Sequence, residues 1–191
     1  MKYLVLVAWL VAQLDAWMIE HNKMRMTQAH IERTANAITD AAIVAADPTE
    51  LPLPGHTRTQ TLEIMASVAW FESFYAKDVG QGKRRGDQGD SWCWMQVRVG
   101  RGSIIMVGAD DYRFGMSETP GGWTGKMLVD DPLKCWKAGK RMLYKSIKEC
   151  GDLSQYTTGR CQKGGNHEAF IRYNLAKDRF FNREPAGSLL P

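Results

Sequence analysis

The chain has 191 residues, of which 44% are hydrophobic and 24% are charged. This length suits one domain with a sizeable core, and this composition excludes an intrinsically disordered chain. The net charge of +4 and the isoelectric point near 8.9 are too mildly basic to indicate a nucleic-acid-binding protein, although they suit a polyanionic surface. We therefore expect a folded protein with no nucleic acid among its partners.

The first 26 residues form a hydrophobic segment that precedes the domain expected over residues 27–191. One lysine is followed by an apolar run from Tyr3 to Ala12 and then by small and polar residues, which is the layout of a signal peptide. The run is too short to span a bilayer comfortably, and Leu14 is unfavourable for cleavage after Ala16. Three alternatives stay open: an export signal, a retained anchor, or a packing helix.

Two helices are predicted after this segment. Apolar residues recur every three or four positions over Thr27–Ala46, and Asp47-Pro48 ends the pattern. After the linker "DPTELPLPG", a second helix is predicted from Thr57, which stands at capping-box spacing from Gln60, to about Ala76. The inward stripe of this second helix consists of Leu62, Met65, Ala66 and Ala69.

Glu72 belongs to the last turn of the second helix. It lies three residues after Ala69 and seven after Met65, so helical geometry turns its carboxylate toward the apolar stripe. Burial and the negative end of the helix dipole both favour the protonated form of a carboxyl group. Glu72 is therefore a candidate general acid.

The rest of the chain alternates loops with short elements. The glycine-rich loop "DVGQGKRRGDQGDS" leads into the alternating run "WCWMQVRV", which is typical of a strand, and "GADDYRFGMSETPGGWTG" is a further loop. Two more helices are predicted, from Asp131 to Glu149 and from His167 to Phe181. We expect a mainly α fold with at most a small β element.

The predicted helix from Asp131 to Glu149 carries a stripe of basic residues. We interpret this stripe as a solvated face, with binding to an anionic surface as the alternative. Its members are Lys134, Lys137, Arg141, Lys145 and Lys148.

The chain has four cysteines, and no two of them have the C-x-x-C spacing of a zinc or redox site, so no metal is expected. Cys150 and Cys161 flank a short polar segment, which a disulfide between them would stabilise by about 3 kcal/mol. Four buried free thiols are the alternative.

Four motifs follow one another between Leu62 and Gly159: "AWFES", "GDQGDSWCWMQV", "DDPLKCWKAGKRML" and "LSQYTTG". In order and approximate spacing, this series resembles that of the lytic transglycosylases and goose-type lysozymes, and it covers about half of the chain. The resemblance implies a lysozyme-like fold and an enzyme that cleaves peptidoglycan glycan strands without a cofactor.

The resemblance also implies roles for particular residues. The family's catalytic glutamate corresponds to Glu72, and the tyrosine that approaches it corresponds to Tyr156. The family's cleft-lining motifs correspond to Gly86, Asp87, Gly89, Met95 and Gln96. Side chains that could order the site or stack on sugar rings are Ser73, Ser91, Trp92, Trp94 and Trp123.

Two positions bear on the reaction type. Asp87 is expected either to act in catalysis or water placement, or to brace its loop through backbone hydrogen bonds. Arg98 stands where goose-type lysozymes have an aspartate that helps position water, which favours transglycosylation over hydrolysis. In the family's transglycosylases, one glutamate protonates the glycosidic oxygen and then removes the proton of the sugar's own C6 hydroxyl, closing a 1,6-anhydro ring.

The leading expectation is a lytic transglycosylase that cuts the β-1,4 bond between N-acetylmuramic acid and N-acetylglucosamine. The alternatives are a hydrolytic goose-type lysozyme and, in another class, a non-catalytic envelope or virion assembly protein. The expected location is outside the cytoplasm, in the periplasm, the envelope or the medium, or in a virion if a phage encodes the chain. Membrane or virion association would run through residues 1–26.

Overall fold

The computed structural model describes residues 2–86, 89–99, 123–162, 167–181 and 183, without the side chains of Lys2 and Glu168. Over these residues the protein is mainly α-helical with one small sheet, as predicted. The helices are α1 (Lys2–Asn22), α2 (Gln28–Ala46), α3 (Arg58–Ser73), α4 (Lys77–Gly80), α5 (Gly125–Asp130), α6 (Pro132–Cys150), α7 (Ser154–Thr158) and α8 (His167–Leu175). A π-helical turn, Ala176–Phe180, extends α8, and strands β1 (Ser91–Trp92) and β2 (Val97–Arg98) pair antiparallel.

α3 is the central helix, and it packs against α2, α6 and α8. The predicted capping box is formed, since the Gln60 N–H donates to Thr57 Oγ1 at 3.1 Å and the Thr57 N–H donates to Gln60 Oε1 at 3.0 Å. The helix ends at Ser73, three residues before the predicted end, because Phe74 adopts a left-handed φ of 55°. The predicted stripe is fully buried, but so are most other side chains of α3. α3 is therefore a core helix, buried around most of its circumference, rather than an amphipathic helix with one buried face.

The N-terminal segment takes the form of a helix docked on the rest of the protein. One face of α1 is buried against α2 and belongs to the same hydrophobic cluster as α3: Leu6, Val7, Leu10, Val11, Leu14 and Met18. The Asp15 carboxylate accepts a hydrogen bond from the Met26 N–H at 2.7 Å, and the Trp17 ring meets the Trp70 ring edge-on at 6.1 Å. Among the described helices, α1 alone is long and apolar enough to cross a membrane, with 33% of that window buried.

α6 begins and ends close to the predicted bounds, with the Asp131 carboxylate accepting from the Leu133 N–H at 3.1 Å and Gly151 in the left-handed region. Its basic stripe differs from the prediction at two positions. Arg141 is only 5% exposed and is ion-paired with Glu50, and Lys137 lies 3.7 Å from Asp47. The linker between α2 and α3 lies against this part of α6 through Asp47 and Glu50. Of the five stripe residues only Lys148 is exposed, whereas the side chains of Lys134 and Lys145 are 24% and 33% exposed.

All four cysteines are paired in two disulfides. Cys150 and Cys161 form the disulfide that the sequence suggested, and it closes a loop around α7. The second disulfide joins Cys93, in the turn between the strands, to Cys135 on α6. The small sheet is thereby covalently attached to the helical core.

Candidate functional site

Glu72 lies in the last turn of the central helix α3, and its side chain is 17% exposed. The Nε of Arg172, which α8 carries, donates to Glu72 Oε1 at 2.8 Å. The Arg172 side chain is only 11% exposed, so the pair is largely withdrawn from solvent. A guanidinium beside a carboxylate favours its ionised form. This contact therefore opposes the effects of burial and helix dipole that we expected to favour the protonated form.

The predicted strand "WCWMQVRV" is instead a hairpin, β1 and β2, with residues 93–96 in its turn. Cys93 and Gln96 both adopt left-handed φ values, 59° and 45°, which reverse the chain direction. A β-strand pattern alone does not reveal such positions, because both residues are of ordinary type.

Gln96 ties this turn to the glycine-rich loop. Its Oε1 accepts from the Gly86 N–H at 2.9 Å, and its Nε2 donates to the Cys93 carbonyl at 3.0 Å. A Cβ atom on Gly86 would lie 2.6 Å from Gln96 Oε1, so only glycine permits this approach. The Gln96 amide, which the resemblance implies is a cleft-lining group, thus braces the glycine-rich loop.

Tyr156, on α7, contacts the same turn and lies within electrostatic range of Glu72. Its hydroxyl donates to the Met95 carbonyl, and its N–H donates to Ser146 Oγ at 3.1 Å. Burial raises the pKa of Tyr156 well above its ordinary value, and the negative charge of Glu72 raises it further, against a smaller opposite effect of Arg172. The hydroxyl therefore stays protonated, and its sensitivity to Glu72 means that the two side chains are close together.

The other predicted site residues have structural contacts. Ser73 Oγ donates to the Ala69 carbonyl at 2.7 Å and accepts from the Tyr75 N–H at 3.2 Å, so it stabilises the end of α3. Ser91 is 2% exposed in β1, where its N–H donates to the Gly86 carbonyl at 3.2 Å. Asp87, the candidate second acid, lies outside the described residues.

Met95 and the three tryptophans are mainly packing residues among the described parts of the chain. The Met95 side chain is fully buried against Gly139 of α6. Trp94 lies against Gly80, and Trp123 is 2% exposed. Trp92 lies under the Arg85 guanidinium at 4.2 Å from its ring centroid. Trp92 and Trp94 keep partial exposure and remain candidates for sugar stacking.

Arg172 is the site residue that the sequence analysis missed. It stands 100 residues after Glu72, in a helix that was recognised only by its apolar pattern. No motif marks it, because its role depends on how α8 packs against α3.

A pocket of about 300 Å³ lies between α1, α3 and the end of α8, and neither Glu72 nor Arg172 lines it. Phe71 and Ile171, which immediately precede Glu72 and Arg172, line it together with Trp17 of α1. Within the described part of the chain, no three His, Cys, Asp or Glu side chains come together as metal ligands. The chemistry available at this site is therefore that of a half-buried carboxyl group with a cationic neighbour.

The motif residues thus meet at one place, where the end of α3, the hairpin turn and α7 adjoin. Comparison of the chain with protein-family models, with curated proteins and with solved structures finds no match in any of the three.

Proposed function

We propose that the protein is a peptidoglycan lytic transglycosylase that cleaves the β-1,4 bond after N-acetylmuramic acid and leaves a 1,6-anhydro end. One observation carries the proposal: Glu72, the Met95–Gln96 turn and Tyr156 converge, although Tyr156 and Met95 are 61 residues apart. These are the positions that the motif series identified. Local structure alone would not bring them together.

The mechanism requires a proton for the leaving oxygen and relief of a developing oxocarbenium ion. Glu72 protonates the glycosidic oxygen as the bond breaks, and the C6 hydroxyl of the muramic acid then attacks the anomeric carbon while giving its proton to Glu72. No proton is consumed overall, and one carboxyl group serves as acid and then as base.

The hydrolytic alternative needs a second carboxylate or a positioned water. Arg98, which stands where goose-type lysozymes have the water-positioning aspartate, is an exposed residue of β2. Without that aspartate to position a water, the intramolecular C6 hydroxyl is favoured over water as the nucleophile.

The first test is the substitution Glu72→Gln, which keeps the shape of the side chain but removes the transferable proton. We expect the lytic rate on purified peptidoglycan to fall by about 100-fold or more, with the thermal unfolding midpoint preserved within a few degrees. Glu32→Gln, which changes an exposed glutamate of α2, is the matched control and should lyse like the wild type. Full lysis by folded Glu72→Gln would refute the role of Glu72.

The products separate the candidate functions. A transglycosylase releases muropeptides with anhydro ends, whereas a hydrolase releases reducing ends that are heavier by the mass of one water. Mass spectrometry of a digest therefore decides between these two reactions. A folded wild-type protein that gives no clearing zone in a peptidoglycan zymogram would instead favour the non-catalytic assembly protein.

A further inference from the structure

Arg172 of α8 donates a hydrogen bond to Glu72 and has no part in the two proton transfers proposed above. We propose that Arg172 positions Glu72 for proton transfer and sets the pH range in which it works as an acid. This inference rests on the proposed function and concerns the same site. Arg172 acts through Glu72, and it is therefore a positioning residue.

Three contacts hold Arg172 in register with the end of α3. Its carbonyl accepts from Ser67 Oγ at 2.6 Å, its Nε donates to Glu72 Oε1 at 2.8 Å, and its guanidinium carbon lies 5.9 Å from the centroid of the Phe71 ring. The backbone and the side chain of Arg172 are thus anchored to the same helix. A glutamate side chain has three rotatable bonds, and anchoring Oε1 removes most of that freedom before the substrate arrives.

The charge of Arg172 has a second effect. When Glu72 gives its proton to the glycosidic oxygen, it becomes a carboxylate, and a guanidinium at 2.8 Å stabilises that product of the transfer. The same charge reduces the protonated fraction of Glu72 before the reaction. Since both side chains are largely buried, salt screens this interaction weakly. Arg172 therefore makes Glu72 a stronger acid, which works as a proton donor over a lower pH range.

Stability alone is a poor explanation for this pair. Withdrawing two charges from water costs free energy that their attraction offsets only in part.

The protein has a second arginine–glutamate pair nearby, Arg179 with Glu20, in which the side chains are 23% and 50% exposed. That pair joins the π-helical turn to α1, and it makes no described contact with Glu72. Arg179 is therefore a matched control.

The experiment measures the initial lytic rate of the full chain on purified peptidoglycan from about pH 4 to about pH 9. Arg172→Gln should move the alkaline limb of the profile upward by about one pH unit or more, because Glu72 then keeps its proton to higher pH. Its maximal rate should fall about tenfold, because the carboxylate is no longer anchored. Arg179→Gln should leave the profile of the wild type unchanged.

The variant Arg172→Lys distinguishes the positioning effect of the Arg172 side chain from the effect of its positive charge. Lysine keeps the positive charge but lacks the planar fork of arginine, so the alkaline limb should stay close to that of the wild type while the maximal rate falls. If Arg172→Gln does not fold, this variant decides the question: a wild-type rate at an unchanged thermal midpoint would overturn the positioning role.

A failure of this inference and a failure of the proposed function would give different results. If the Arg172→Gln profile superimposes on that of the wild type while only the thermal midpoint falls, Arg172 is a structural ion-pair residue and this inference is wrong, with the proposed function intact. If the folded wild type does not lyse peptidoglycan, or Glu72→Gln lyses it fully, the proposed function fails and this inference fails with it.

Discussion

Lys140 is an ionisable residue in the protein interior, with only 1% of its side chain exposed. Its Nζ lies 3.8 Å from Glu50 Oε2 and makes no hydrogen bond within the described part of the chain. Burial lowers the pKa of Lys140 to about 8, and the attraction of Glu50 offsets this effect only in part. The ion pair of Glu50 with Arg141 occupies the same carboxylate. The attraction of Glu50 therefore offsets only part of the free-energy cost of burying the Lys140 charge.

This residue gives a pH-dependent prediction. Near neutral pH, the buried charge of Lys140 lowers the free energy of unfolding by about 3 kcal/mol. Between about pH 8 and about pH 10.5, the folded protein releases the Lys140 proton while the unfolded chain keeps it. The destabilisation therefore decreases as the pH rises through this range. Lys140→Met removes this titration. We expect its advantage in unfolding free energy over the wild type to be largest near pH 7 and to shrink toward pH 10 in urea denaturation.

Lys148→Met is the control, because Lys148 is exposed on the same helix. Its difference from the wild type should stay small and constant over this pH range. A Lys140→Met difference that does not change with pH would contradict the prediction.

Among single residues, Glu72 could be selected from the sequence and Arg172 could not. The position of Glu72 follows from helical periodicity and a local motif, both of which act within a few turns. Arg172 has no local signal, and its contact with Glu72 exists only because α8 packs on α3. Gln96 is an intermediate case: its place in the site was expected, but its bonds to Gly86 and Cys93 depend on the turn geometry.

At the scale of elements, the hairpin turn is the part of the site with least secondary structure of its own. Two paired residues in each strand cannot hold a defined shape alone. The Cys93–Cys135 disulfide, the burial of Met95 and the Gln96 contacts attach it to α6 and to the Gly86 loop. The turn that carries the M-Q motif is therefore positioned by its attachments.

The two disulfides should differ in their contribution to stability. The Cys93–Cys135 pair is separated by 42 residues and the Cys150–Cys161 pair by 11. On loop entropy, replacing the first pair by alanines should cost about 4 kcal/mol and replacing the second about 3 kcal/mol. Urea unfolding of the two double variants without reductant measures both values, and a larger loss for the shorter loop would contradict the entropic account.

At the scale of the whole molecule, α1 is part of the core. Its buried face shares one hydrophobic cluster with α2, α3 and the π-helical turn, and the Trp9 ring meets Phe180 edge-on at 5.8 Å. The outward face of its first turns is apolar as well, with Leu4 51% exposed and Val5 53% exposed. This two-sided hydrophobicity explains why the sequence alone resembles a signal peptide.

Two leucines of α1 test this packing. Leu10 is fully buried, and Leu10→Ala should lower the unfolding free energy by about 2–5 kcal/mol, because it leaves a cavity between helices. Leu4→Ala changes the same residue type at an exposed position and should stay within about 0.5 kcal/mol of the wild type. Chemical denaturation of both full-length variants gives the comparison, and equal small effects would show that α1 does not contribute to the core in solution.

The sequence by itself determined the mainly helical class, the capping box at Thr57, the bounds of α6 within a residue or two, and the candidacy of Glu72. These features depend on periodicity, caps and motifs, which act between residues that are near in the chain. Only the tertiary structure decided that Arg172 contacts Glu72, that Arg141 is buried against Glu50, and that Tyr156 contacts the turn of the M-Q motif. Such contacts join residues about 60 to 100 positions apart, and only the packing of helices brings those residues together.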